Sequence, residues 1–476
     1  MVLPTRRTLK LLAGCESRST GEQQKFFVYS PSLFLHHFSM AVQAPAGFNR
    51  EAFIADLKAA MEFVERRVIN RSEVVEQIFL ALLVGEHVLI ESRTGVGKTL
   101  LADQVFAMFS DARIFKVQAS KEQQPDTYFG GLDIEQLKKG LIVHNTEGSL
   151  IESEFGFIDE IFDANDYTLR ALLSTLNERA LIRGRQTKPA AIHTVIAATN
   201  YLRISEITEA LLDRFLFKSL VIPDKDPFVQ YQIGEQYLKA SGKVLEPTQK
   251  VSFKWLQYST CIIKGNIESE QITISPEYLY FTNLVIRHYE IQRNRMLQER
   301  PHEERIRHKD YYISPRTQAK ALDLLRALAF LKNRTAVDLT DIHRLHYLLC
   351  TAGIPAEKAL FLKSYDTMQH LYGASGGFEQ LSQLLTIESI LRDLRSDPKK
   401  LHQPIASLDG VTAKRSLVEW AKEKFGSSDP DSGQKRRQFE AVLAGIQPLT
   451  EDLKQLKLHL EKEVRLAFSA DGDHFQ

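Results

Sequence analysis

The chain has 476 residues, 43% hydrophobic and 25% charged, with 61 Lys and Arg against 60 Asp and Glu. That length holds two or three domains with full cores, and a formal net charge of +1 argues against a chain built chiefly to hold nucleic acid through its phosphates. No run approaches the ~18 apolar residues of a membrane span. Cys15, Cys261 and Cys350 are too isolated for a disulfide framework or a thiolate metal site, which suits a reducing cytoplasm.

Residues 1–45 read as an extension, expected to be poorly ordered or to precede the true start. Leu12-Ala13-Gly14-Cys15 behind Arg6-Arg7 has the wording of a lipoprotein cleavage motif. Only Leu11 to Gly14 separate Lys10 from that cysteine, short of the ~7–15 apolar residues a signal needs. Met40 is a second candidate initiator, ahead of helical patterns over about residues 48–80 that lead into an apolar strand at His87–Ile90.

That strand runs into Glu91-Ser92-Arg93-Thr94-Gly95-Val96-Gly97-Lys98-Thr99. An apolar strand, a glycine-rich turn and Lys-Thr opening a helix are the build of a phosphate-binding loop. Glycines let successive backbone N–H groups face a nucleotide's phosphates, and the helix N-terminus adds its positive dipole. The candidate cradle is Thr94, Gly95, Val96, Gly97, Lys98, Thr99 and Leu100. Lys98 would reach the nucleotide's β- and γ-phosphates and the Thr99 hydroxyl would sit on Mg²⁺. Ser92 stands where the full pattern has glycine, and Arg93 could contact phosphate itself.

A helix over Leu100–Phe109 and a strand near Ile114–Gln118 follow, then Phe155-Gly-Phe-Ile-Asp159-Glu160, a buried-strand pattern ending in two carboxylates. Strand alternation would send the two acids to different faces. Asp159 could then hold Mg²⁺ while Glu160 faces the attacking water, since a Mg²⁺ site needs one or two carboxylates plus phosphates. From Asn165 to Arg179 a helix carries Leu169, Leu172, Leu173 and Leu176 as a core stripe. Between these elements Gly130–Glu152 is an insert bearing Leu132, Leu137 and Leu141-Ile-Val143, on the residues alone a β-hairpin covering the sheet.

Thr194–Asn200 reads as a further apolar strand whose terminal amide, Asn200, could reach a γ-phosphate or its attacking water. Ala210-Leu-Leu-Asp213-Arg214-Phe215 ends a helix with a guanidinium suited to charge spread over phosphoryl oxygens. Pro223-Asp-Lys-Asp-Pro227 breaks the pattern, and a mainly helical region follows to about residue 352. Within it Gln292–Asp310 is crowded with charge, His302 and His308 are spaced wrongly for a helical metal pair, and Ile313-Ser-Pro-Arg316 opens the strongest helix. Beyond Gly353 the pattern stays helical, and Leu453, Leu456, Leu460 and Val464 suit the edge helix of a small bundle. Strands alternating with helices imply a parallel, doubly wound sheet with ligand at the strands' carboxyl ends.

Phosphate loop, Asp-Glu, strand-end Asn, Asp-Arg-Phe and Ser-Pro-Arg, in that order, resemble the AAA+ ATPases. Asp159-Glu-Ile-Phe-Asp-Ala-Asn165, Leu172-Leu-Ser-Thr-Leu-Asn177-Glu178-Arg179, Ala198-Thr-Asn200 and Leu212-Asp-Arg-Phe215 resemble the MoxR branch. Tyr128-Phe-Gly-Gly-Leu-Asp-Ile-Glu-Gln-Leu137 and Ala327-Leu-Ala-Phe-Leu-Lys-Asn-Arg-Thr-Ala336 look most like its RavA-type regulatory subgroup. The resemblance covers roughly residues 60–350. It implies an α/β fold: an AAA+ P-loop αβα core with a parallel sheet over 46–222, an α-helical lid over 223–352, and a mainly helical C-terminal extension over 353–476 for partner docking. It also implies Lys98, Thr99, Asp159 and Glu160 as Walker-type residues, Asn200 as sensor 1, Arg214 as the arginine finger and Arg316 as sensor 2. In such rings the finger serves a neighbour's ATP, while Arg316 would touch its own. ATP and Mg²⁺ are the implied cofactors. A hexameric ring, a von Willebrand A domain partner with a divalent metal site, and protein clients are the implied associations, and the insert would project toward the ring pore as a substrate contact.

Two other classes remain open on the residues alone. A nucleotide-gated scaffold that hydrolyses poorly draws on the departure at Ser92. A nucleic-acid motor draws on the finger type shared with helicases, against which stand the charge balance and the lack of an aromatic-interleaved basic stripe. An enhancer-binding activator lacks its Gly-Ala-Phe-Thr-Gly-Ala loop here.

Overall fold

The computed structural model describes residues 43–183, 186–202, 206–240, 247, 249–298, 312–373, 376–396, 420, 424–425 and 432–468. Cys15, His302, His308, nearly all of the expected 1–45 extension and the charged stretch beyond Gln298 lie outside the described residues.

Two helices lead in, α1 (Arg50–Glu65), capped by the Asn49 side chain, and α2 (Ser72–Val84), almost wholly buried and ended by Gly85 in the left-handed region. Then come β1 (Val88–Ser92), α3 (Lys98–Ala107), β2 (Ile114–Gln118) and β3 (Phe155–Asp159). The short helix α4 (Ile134–Lys138) sits between β2 and β3. Next are α5 (Asp166–Glu178), the strands β4 (Ala180–Arg183) and β5 (Gln186–Pro189), β6 (Thr194–Thr199), α6 (Glu206–Arg214) and β7 (Phe217–Val221). Strand and helix ends fall within a few residues of the sequence expectation; β1 runs on to Ser92, two residues past the expected end.

β1, β2, β3, β6 and β7, with a late strand β8 (Thr351–Ala352), make one six-stranded sheet in the order β8-β7-β1-β6-β3-β2, every pairing parallel. Parallel strands need helical crossovers, which cover both faces. On one face Leu89, Ile158, Val195 and Ala197 pack with Leu169, Leu172 and Leu176 of α5 and with Leu211 and Phe215 of α6. Val88, Ile90, Phe157, Ile196 and Ala198 alternate with them and are buried too, so both faces are core. This is the expected α/β AAA+ architecture.

The 130–152 insert is not a β-hairpin. It holds α4, N-capped by Asp133, and closes on a single antiparallel bridge between Leu132 and His144. The hairpin in this region is β4–β5, which alternation did not reveal because the four-residue strands are only half buried. It braces the insert through Lys188–Glu152 (2.6 Å) and the His144 N–H donated to Gln186 Oε1 (2.8 Å), and the segment just before it through Arg183–Asp126 (2.7 Å). Ile134, Leu141 and Ile142 of the insert stay exposed, Ile142 at 71%.

Past β7 the chain is helical: α7 (Pro227–Ala240), α8 (Phe253–Ile263), α9 (Pro276–Gln298) and α10 (Pro315–Leu331). It returns to the sheet as edge strand β8, where Thr351 and Ala352 pair with Lys218 and Ser219. Arg50 also ties the first helix to this region, donating to the Arg334 carbonyl at 2.9 Å and lying over the Phe330 ring. Arg334 and Lys332, in one of the two RavA-like stretches, both pair at 2.7 Å with Asp341, which is fully buried. The C-terminal helices are α11 (Pro355–Gly373), α12 (Gly377–Ser396), α13 (Ser432–Gly445) and α14 (Glu451–Ala467). Leu453, Leu456, Leu460 and Val464 of α14 are all buried, as a bundle helix requires.

The amino-terminal edge of β1 holds a buried charge cluster. Glu86 pairs with Lys320 of α10 at 2.7 Å and with Lys264 at 3.6 Å. These cations hold its carboxyl well below the usual range in spite of burial. Arg179, buried beside it, donates to the carbonyls of Gly85 (2.7 Å), Ile192 (2.7 Å) and His193 (2.8 Å).

Gly353, just past β8, has φ +88°, and a Cβ there would stand 2.1 Å from the Leu220 carbonyl oxygen. Gly353→Ala is expected to cost at least about 1–3 kcal/mol by backbone strain, read as a lowered Tm. His193, donating to the Leu82 carbonyl at 2.8 Å, is pulled from 6.5 to about 3 by burial, with Arg179 adding to the effect. Between those values the unfolded chain binds the extra proton, so this stability is complete above about pH 6.5 and is lost as pH falls toward about 3. Tm should fall across that window, with a shallower slope in His193→Gln.

Candidate functional site

The glycine-rich loop follows β1 directly. Ser92 is the last residue of that strand, buried, in register with Val221, and outside the left-handed region. A strand position accepts any L-residue, so serine in place of glycine leaves the loop intact. Gly95 and Gly97 carry the conformations that glycine is needed for, φ +81° and +85°, and both face open space where a Cβ would be. Gly97 caps α3 with no side chain of its own. The first-turn N–H groups of a helix have no intrahelical partner, so those of Lys98, Thr99 and Leu100 open on the loop, as an anion site requires. Thr99 and Leu100 are exposed beside it, with Thr94, Gly95 and Val96 forming the turn.

Lys98, the first residue of α3, is the buried member of the group. Its Nζ donates to Asn200 Oδ1 at 2.7 Å and lies 3.6 Å from Glu160 Oε1. Glu160 directly follows β3 and Asn200 directly follows β6, and these strands are neighbours in the sheet. The Asn200 backbone N–H donates to Glu160 Oε2 at 3.0 Å and its side-chain amide donates to Oε1. Both oxygens of the carboxylate are thus engaged at the carboxyl ends of the strands.

Asp159 and Glu160 diverge for a different reason than strand alternation. β3 stops at Asp159, and Glu160 takes a left-handed conformation, φ 51°. Non-glycine residues held there store strain and cluster at functional sites. The Asp159 carboxylate accepts the Glu160 N–H at 3.0 Å while its backbone carbonyl accepts from Ala119. Tyr201 adds a brace that no motif announced: its hydroxyl donates to Asp163 at 2.6 Å and its carbonyl accepts from Thr199.

The oxygen donors present fit Mg²⁺. Among the described residues no three His, Cys, Asp or Glu side chains are arranged to hold a metal alone. A hard cation beside the Thr99 hydroxyl and the Asp159 carboxylate would draw its other ligands from phosphate and water.

Arg214 and Arg316 are not part of this group. Arg214 ends α6, three residues before β7, at the amino edge of the sheet. Its Nη1 donates to the Ala210 carbonyl at 3.1 Å and lies 3.3 Å from Asp213 Oδ2. Arg316, expected at its own chain's nucleotide, lies at the same edge as Arg214. Its Nη2 donates to Asn177 Oδ1 at 2.5 Å and its Nη1 is 3.9 Å from Asp213 Oδ2. Asn177 belongs to the last turn of α5, whose Leu176 carbonyl meets His87, the residue before β1. At ~3.3 Å per residue, a five-residue strand separates the two edges by about 13 Å before the loops are added.

Comparison with known proteins now has a geometry to meet. Residues 55–250 match the family described as the MoxR domain in the MoxR-vWA-beta-propeller ternary systems, and residues 290–353 match an AAA lid domain. Core and lid are thus each similar to a domain of AAA+ proteins, the core to a MoxR domain. It is 24% identical over 296 residues to an uncharacterized protein of Methanocaldococcus jannaschii, covering 61% of this chain and 69% of that one. A second uncharacterized protein of that organism is 31% identical over 166 residues, 35% of this chain and 44% of that one. The chaperone MoxR1 of Mycobacterium tuberculosis is 29% identical over 209 residues, 42% of this chain and 54% of that one. The chain therefore spans only about half the length of two of these relatives. A solved structure from Cytophaga hutchinsonii, of a protein assigned as an ATPase, superposes with a TM-score of 0.50 at 19% identity. It covers 67% of this chain and 95% of that one, and supports the fold alone.

The core thus brings Lys98, Glu160 and Asn200 together and sets Arg214 and Arg316 apart. Lys98→Ala is expected to weaken binding of a fluorescent ATP analogue by about 10- to 100-fold, the size of one lost charge-assisted hydrogen bond. Unchanged affinity would remove the loop from nucleotide binding.

Proposed function

We propose that this chain is an ATP-hydrolysing AAA+ enzyme that works as a ring, a hexamer, and remodels protein complexes. One observation carries the reading. Lys98, Glu160 and Asn200 lie at one edge of the sheet, and Arg214 and Arg316 lie at the opposite edge. A head-to-tail contact between protomers would bring the Arg214 edge of one against the Lys98 edge of the next, and rotation about an axis closes such contacts into a ring.

In this reading Lys98 and the loop N–H groups take the phosphates of ATP. Glu160 orients a water and accepts its proton as that water attacks the γ-phosphorus and ADP leaves. Asn200 holds the Glu160 carboxylate in place. Mg²⁺, when bound, would offset phosphate charge, with Thr99 and Asp159 holding it. Arg214 offsets the charge that develops on the transferred group of the neighbouring protomer. We assign Arg316 to the same neighbouring nucleotide, because its partners Asn177 and Asp213 belong to the Arg214 edge.

We divide the chain into core (46–222), lid (223–352) and a docking extension (353–476). The exposed apolar tip of the insert, Ile134, Leu141 and Ile142, is the proposed contact with protein clients. A von Willebrand A domain protein is the proposed partner, and a β-propeller protein a further one; the description of the matching family supports both. The RavA-type subgroup rests on residues 128–137 and 327–336 alone. Free, buried Cys261 and Cys350 suit the proposed cytoplasmic setting, and no described helix is long and apolar enough to cross a membrane. The scaffold reading loses its support, because Ser92 fits its strand.

ATPase rate per subunit should climb with protein concentration and fall by about 10³–10⁵ in Arg214→Ala, the span attributed to arginine fingers. Glu160→Gln should keep ATP bound and lose turnover. A rate per subunit independent of concentration, untouched by Arg214→Ala, would end the shared-site reading.

A further inference from the structure

Asp213 is the junction of the Arg214 edge. Its Oδ1 accepts the Ser314 hydroxyl at 2.8 Å, and its Oδ2 faces Arg214 Nη1 at 3.3 Å and Arg316 Nη1 at 3.9 Å. Ser314 has two duties. While its hydroxyl donates to Asp213, the same oxygen accepts the Thr317 N–H at 3.2 Å and caps α10. One carboxylate therefore joins the last turn of α6, which carries Arg214, to the first turn of α10, which carries Arg316.

We infer that Asp213 is a positioning residue that clasps these two helix ends and aims Arg214 and Arg316 as a unit at the phosphates bound by an adjacent copy of the chain. The inference rests on the shared-site reading above and adds a residue to it. Charge supports it. Both guanidiniums face one carboxylate, and the side chains of Asp213, Arg214 and Arg316 are 31%, 21% and 28% exposed, within reach of another protomer. Lys218, pulled down by burial, is partly restored by the same Asp213 carboxylate. Two arginines drawn together without that carboxylate would repel one another and swing apart. The clasp also crosses from core to lid. Movement of α10 would reach Arg214 through Asp213, so the lid's position would set the aim of both arginines.

Mixed-protomer complementation tests this. Asp213→Asn alone should lower the ATPase rate by about 100-fold, the scale on which a ~1 Å misplacement acts, with affinity for a fluorescent ATP analogue unchanged. Its own nucleotide loop is intact, so mixing it with Lys98→Ala, whose Arg214 edge is intact, should raise the rate several-fold above the sum of the two parents. A fold defect in Asp213→Asn would not be rescued in this way. Ser314→Asp provides a second variant: it retains a good N-cap residue but sets two carboxylates against each other, and it should show the same loss and the same rescue. Arg214→Ala mixed with Lys98→Ala is the reference pair. Recovery in the reference pair without recovery for Asp213→Asn and Ser314→Asp overturns the clasp and leaves the shared-site reading standing. No recovery in the reference pair overturns both. Wild-type turnover by Asp213→Asn overturns the clasp outright.

Discussion

The parallel pairing of β1 with β6 on one side and β7 on the other is the constraint on which the rest depends. Parallel strands start at one edge and finish at the other, so whatever follows β1, β3 and β6 gathers at the carboxyl edge. The glycine loop, Glu160 and Asn200 do so, and they bond to one another there. Whatever precedes β7 must lie at the amino edge, and Asp213 and Arg214 do. The separation of the two groups follows from topology, and no side-chain rearrangement within the chain removes it.

The carboxyl edge is a closed triad. Lys98 has an amide and a carboxylate as partners, and Glu160 has both oxygens engaged. A charge in a mostly buried setting needs such partners. Phosphate would compete for the lysine. The left-handed backbone of Glu160 fixes the carboxylate where β3 ends and keeps it apart from Asp159. The two carboxylates of one Asp-Glu pair thereby have different partners, the Glu160 N–H for Asp159 and Asn200 with Lys98 for Glu160.

The amino edge is where lid and core are joined. Lys320 and Arg316 lie four residues apart on α10, close to one face, and meet Glu86 and the Asn177–Asp213 pair. Half-buried ion pairs of this kind add little to stability compared with apolar contacts, but they penalise arrangements that leave a charge unpaired. With β8 hydrogen-bonded to the sheet edge and Gly353 against the Leu220 carbonyl, they hold α10 in one register on the core. The four phrases that marked the chain as MoxR-like are spread over both edges. Asn177 and Arg179, side by side in one of them, serve the lid contact and the buried charge cluster respectively.

By itself the amino-acid sequence determined the local pieces: the glycine turn, the strand–helix alternation, the Asp-Glu and Asn strand ends, and the Leu169–Leu176 stripe. These depend on periodicity, glycine conformation and capping, which operate over a few residues. Tertiary structure decided the rest. Ser92 is harmless because its place is a paired strand, and Asp159 and Glu160 diverge through a backbone turn rather than strand alternation. The insert carries a helix, and the hairpin bracing it consists of strands too short and too exposed to show a pattern. Arg316 meets Asp213 and Asn177 rather than Lys98, because contacts between residues more than a hundred positions apart are set by how helices dock on a sheet. No local preference encodes that docking. It follows from parallel topology and from the pairing of Arg316 and Lys320 with acids of the core.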